Sequence, residues 1–121
     1  MKRQISPQFK RAVEAEIRRL VSTSESFNKL RVVADALKVQ SKMGAVRHFG
    51  QVNQYIVGQT AKRQGASNSA ALALSNEIGR DIKRWRGIAD QVARNRVRGK
   101  DVSELREQAL DIEIKWRFRS R

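Results

Sequence analysis

The string DIEIK, residues 111 to 115, sets Glu113 two positions before Lys115, with Asp101 and Asp111 upstream. On a strand, carboxylates at that spacing share a face, where they can hold a divalent cation while the lysine positions an attacking water, the equipment of a metal-dependent nuclease. The spacing is short and arises by chance, and alternating charge on a solvated strand face is the simpler account. Other routes to catalysis are thinner still. His48 is the single histidine and there is no cysteine, so a histidine metal cluster and a thiolate nucleophile cannot be built. No serine sits in a G-x-S-x-G turn, and GQTAKRQG at 58 to 65 lacks the Gly-Lys-Ser/Thr of a phosphate-binding loop. The expectation is a protein that is not an enzyme and has no cofactor, metal or catalytic residue.

A different chemistry is written in KRWRGIADQVARNRVRGK, residues 83 to 100, where lysines and arginines surround a single acid, Asp90. Turned at about 100° per residue, the segment and the turns before it place Leu74, Ile78, Ile82, Trp85, Ala89 and Val92 on one face. Arg80, Lys83, Arg84, Arg94 and Arg98 fall on the opposite one. Gly87 lies among these cations and would leave the backbone bare. Between Asp35 and Glu77 there is no acid at all, although Lys62 and Arg63 are present, flanked by Gly58 and Gly65. Near the end, Arg117 and Arg119 interleave with Trp116 and Phe118, rings that would suit stacking on bases.

Across the whole chain, 26 Lys and Arg against 12 Asp and Glu give a net charge of +14. A surface so basic seeks a polyanion, and nucleic acid rewards each neutralised phosphate by releasing condensed counterions. The first expectation is therefore a nucleic-acid-binding protein, DNA ahead of RNA. Arg80, Lys83, Arg84, Arg94 and Arg98 would contact phosphates, with Lys62, Arg63, Arg117 and Arg119 extending the track. The alternative is a structural subunit of a viral particle or ribonucleoprotein, engaging a neighbour or a second copy through 110 to 118.

The elements that must hold these residues are mainly helical, an all-α or mostly α domain, because one proline in 121 residues and abundant Ala, Leu, Arg and Glu favour helices. Ser6-Pro7 starts helix 1, residues 7 to 21, with Phe9, Val13 and Ile17 at helical steps; the serines of STSES, 22 to 26, offer the next cap. Helix 2 spans 26 to 42, stopped by Gly44 in a left-handed turn. Residues 45 to 60 read as helix, with strand as the competing pattern. AKRQGASNS, 61 to 69, reads as a flexible loop dividing one domain, residues 1 to 121, into two halves. The long amphipathic helix runs from about 69 to 98 and ends at Gly99, and Asp101 with Glu104 resembles a capping box. Leu110, Ile112, Ile114, Trp116 and Phe118 alternate with charges, which suggests a C-terminal β-strand over 110 to 118; Leu105, Ala109, Ile112 and Trp116 also fit a helix.

Ile5-Ser6, a helix, and SESFNKLRVVADALK together resemble the end of a ribbon-helix-helix repressor, in which a strand reads DNA and two helices build the dimer. The resemblance covers the first forty residues at most, and no site residue is carried over from it. MKRQIS is followed by no apolar run, and the longest such run, AALAL at 70 to 74, is far short of the roughly 20 residues that span a bilayer. A protein without a secretory signal or transmembrane segment, cytoplasmic or particle-associated, is expected.

Overall fold

Five α-helices and one 3-10 turn account for the regular structure of the computed structural model, which describes residues 5–20 and 27–120; no strand occurs among them. The order is α1 (Pro7–Leu20), α2 (Lys29–Met43), the turn Phe49–Gln51, α3 (Gln54–Arg63), α4 (Asn68–Val97) and α5 (Ser103–Lys115). The fold is all-α.

Helix starts follow the cap chemistry of the sequence. Pro7 is the first residue of α1, and Ser6 Oγ accepts from the Phe9 amide at 3.1 Å. Asn28 caps α2, accepting from the Leu30 and Arg31 amides, whereas the serine cap expected within 22 to 26 lies outside the described residues, as does most of the strand the repressor resemblance requires. Asn53 caps α3 and Ser67 caps α4 in the same manner. A carboxamide or hydroxyl at these positions satisfies amides that no helical carbonyl can reach.

Three boundaries depart from the sequence reading. Gly44 does follow α2, but its backbone is extended (φ 163°) and not left-handed. Residues 45 to 60 are not one helix: the chain turns at Phe49–Gln51 before α3 begins. The Gln51 carboxamide accepts from the Arg47 amide at 2.7 Å, and Gln40 Oε1 accepts from the Asn53 amide at 2.9 Å. Side chains thus satisfy the backbone where the helix is interrupted. Gly50 sits in this turn because a Cβ there would lie 2.9 Å from the Trp85 ring.

The loop expected over 61 to 69 is shorter, since Ala61, Lys62 and Arg63 belong to α3. Ala61 is fully buried, which fixes one more turn of helix than its Gly-rich neighbourhood suggests. Ser75 Oγ donates to the Gln54 carbonyl, and Gly58 faces Ser75 while Gly79 faces Gln54; α3 and α4 therefore run antiparallel.

The largest correction concerns 110 to 118, which is the end of α5 and a following turn, not a strand. Alternation and helical spacing coexist there, and burial decides between them: Ile112 and Trp116 are 3% and 1% exposed against the bundle, while a lone strand would leave its backbone unpaired. Asp101 also differs from expectation, bonding the Ser103 amide and hydroxyl at 3.1 and 2.7 Å in a local turn and not pairing with Glu104 as a capping box. A single apolar cluster draws on every helix, from Val13 and Ile17 of α1 through Val32 and Val39, Phe49, Ile56, Leu74 and Ile78 to Trp116. Each such fully buried side chain stabilises the fold by about 1.5–3 kcal/mol.

Candidate nucleic-acid interface

α4 is unbroken over 30 residues, about 45 Å of rod. Its inner face matches the expected stripe in part: Leu74, Ile78 and Ile82 are buried, Trp85, Ala89 and Val92 are half-buried, and Ile88, outside that stripe, is buried as well. Gly99 (φ 69°) closes it, with the Lys100 amide donating to the Asn95 carbonyl at 2.8 Å and the Gly99 amide to that of Arg96 at 3.1 Å. This paired arrangement needs a left-handed residue, and glycine adopts that conformation without strain.

The outer face carries Arg80, Lys83, Arg84, Arg94 and Arg98, all exposed. Among the described residues none of the five has a carboxylate within ion-pair distance. Two acids of the same helix are engaged elsewhere. Asp81 Oδ2 accepts from Lys115 Nζ at 2.7 Å and from Trp116 Nε1 at 2.8 Å. Glu77 pairs with Lys29 and with Lys115, each at 3.3 Å, and both ammonium groups stand over the Trp116 ring, 5.5 and 5.1 Å from its centre.

Partial burial raises the Asp81 carboxyl, but the bonds from Lys115 and Trp116, with the nearby charges of Lys115 and Arg84, outweigh it and hold the group below its usual range. The bond to Asp81 raises Lys115 in turn, with Glu77 adding to it against the cost of burial. α2, α4 and α5 are thereby stitched together on the flank of α4. Two of the three acids of α4, Glu77 and Asp81, are thus committed to lysines of other helices, and Asp90 lies exposed at the edge of the outer stripe.

The remaining expected contacts divide. Lys62 and Arg63 are exposed in the last turn of α3, where cations also offset the negative end of the helix dipole. By the antiparallel register, in which Gly58 faces Ala71 and Ser75, they fall near the N-terminal end of α4. Arg117 is exposed, with a left-handed backbone (φ 55°) just beyond α5. Arg119 is not free: its guanidinium lies 3.4 Å from the buried carboxylate of Glu113. The two rings proposed for stacking are also otherwise engaged, because Trp116 is core and Phe118 packs edge-on against Phe49, centroids 5.8 Å apart.

Trp85, which sequence reasoning placed on the apolar face in preferring Trp116 and Phe118 for stacking, is a partly exposed ring. His48 stacks on it, with centroids 5.1 Å apart and planes within 8°, beside Arg86, whose Nε donates to the Gly50 carbonyl at 2.9 Å. Arg86 thus fastens the 49–51 turn to α4. The pairing of such distant residues has no local signal in the sequence, although Arg86 lies off the basic stripe on a helical projection.

The nuclease-like string loses its geometry in a helix. Asp111 and Glu113, two residues apart, point about 160° from each other, Glu113 binds Arg119, and Lys115 serves Asp81. No group of three or more His, Cys, Asp or Glu able to hold a metal occurs among the described residues, and no helix there is long and apolar enough to cross a membrane. No protein-family model, curated protein or solved structure matches the chain.

Proposed function

We propose that the protein is a non-enzymatic nucleic-acid-binding module whose outer α4 stripe contacts the phosphate backbone. The observation that carries this reading is the set of exposed cations on a continuous α4, Arg80, Lys83, Arg84, Arg94 and Arg98, which have no carboxylate within ion-pair distance among the described residues, while Glu77 and Asp81 are tied to Lys29 and Lys115. Fixed along one rod, these cations meet a polyanion together and release its counterions. Contacts of this kind position a protein with little sequence preference. Lys62, Arg63 and Arg117 remain available to extend the surface; Arg119 is committed to Glu113.

The test is a salt titration of binding. Five phosphate contacts give a slope of log affinity against log salt of about −4.5, and thus a loss of about 500-fold between 50 and 200 mM. Arg84→Glu with Arg94→Glu removes two contacts and should flatten the slope to about −2.7, with helicity unchanged because both residue types favour helix. An unchanged slope in the double variant refutes the reading. Heparin serves as the control for cationic adhesion.

A further inference from the structure

The cations of α4 are not evenly spaced. Arg80, Lys83 and Arg84 form one group and Arg94 and Arg98 another. The outer face between them carries Gly87 and Gln91, both exposed, with Asp90 at its edge. Among the described residues nothing approaches Gly87: a Cβ built there meets no atom within 4 Å. The interval from Arg84 to Arg94 is about 15 Å of rod.

That gap is ill-suited to a single strand, whose backbone carries a phosphate at every nucleotide and is followed by a continuous basic groove. A strand laid along the rod would pass several phosphates over an uncharged glycine, a glutamine and an acid. It suits a groove. The major groove of B-form DNA is about 12 Å wide and holds no phosphate between its two flanking backbones. We infer, resting on the phosphate-contact reading above, that α4 straddles the major groove of duplex DNA. The two cation groups grip opposite strands, and the bare Gly87–Gln91 interval faces the base edges.

The chemistry of the interval agrees. The Gln91 carboxamide both donates and accepts, matching the amino and ring nitrogens of adenine, and Asp90 accepts from an amino group such as that of cytosine. An acid placed against phosphate would be repelled; over a groove floor it is accommodated. In A-form RNA the corresponding major groove is too deep and narrow to be entered, so duplex RNA is the weaker ligand.

Fluorescence anisotropy with a labelled DNA duplex, the matching single strand and duplex RNA of equal length, at fixed salt, tests the arrangement in the full chain. The native protein should bind duplex DNA at least tenfold more tightly than either alternative. Gly87→Leu, which fills the interval with a side chain, should weaken duplex binding by at least tenfold and leave single-strand binding within twofold. Its melting temperature should rise, because leucine is the better helix former, so a folding defect cannot mimic the loss. Equal affinity of the native protein for single strand or duplex RNA overturns the inference, as does Gly87→Leu binding duplex DNA normally or losing both DNA ligands equally. Failure of the broader reading is separate: there, Arg84→Glu with Arg94→Glu leaves binding to every nucleic acid unchanged.

Discussion

Replacing Asp81 by alanine should destabilise the fold by about 1–3.5 kcal/mol. Trp116 Nε1 donates to Asp81 at 2.8 Å from a residue 1% exposed, and leaving such a buried donor without a partner costs about 1–3 kcal/mol. The Lys115 side chain is 46% exposed and keeps Glu77 at 3.3 Å, so losing its Asp81 contact adds only about 0.5–1 kcal/mol. Alanine returns about 0.5 kcal/mol through its higher helix propensity. For a chain of 121 residues the melting temperature should fall by about 10 °C, measured by circular dichroism at pH 7. Asp81→Asn, which keeps an oxygen for Trp116, should recover about half of the loss.

The pH dependence has a definite sign. The Asp81 carboxyl is held below its ordinary value near 3.8, so its stabilisation is complete above that pH and is lost as the pH drops through the lower folded value. Lys115 is raised above 10.5; its contribution is complete below 10.5 and lost as the pH climbs through the higher folded value. The gap between the native protein and Asp81→Ala should therefore be widest near neutrality and narrow in strong acid. A melting temperature within 2 °C of the native one, equal losses for alanine and asparagine, or a gap undiminished in strong acid would each refute this account of the network.

Two further expectations concern the C-terminal segment. Arg117→Gly should raise stability by about 1 kcal/mol, seen as a higher urea midpoint, because the left-handed backbone at φ 55° strains any residue with a Cβ; a lower midpoint would place a structural contact on the Arg117 side chain. Ending the chain after Ala109 removes Ile112 and Trp116 from the core, a loss of about 5 kcal/mol or more that rivals the whole stability of a small domain. The shortened chain should show no cooperative melt, and a cooperative one would mean that this segment is a detachable arm.

Helix existence and the amphipathic division of α4 were legible from the sequence. Ser6-Pro7, the apolar steps of Leu74, Ile78 and Ile82, and Gly99 act through neighbours within a turn or two, and local periodicity and cap chemistry suffice to specify them. The outward basic stripe followed from the same projection. What the sequence left undecided was the outcome where two local patterns overlap. Residues 110 to 118 satisfy both an alternating and a helical reading, and only the burial of Ile112 and Trp116 against the bundle selects the helix. Likewise the break at Phe49–Gln51 depends on Trp85 and Arg86 and on the Gln40 carboxamide, none of them next to that turn in the chain. Tertiary structure also sorted the charges. Arg119 looked as available as Arg94 until Glu113 was placed beside it, and the commitment of Glu77 and Asp81 to Lys29 and Lys115 could not be read locally. A charge's availability is set by what approaches it through space, and local periodicity carries no record of those long-range pairings.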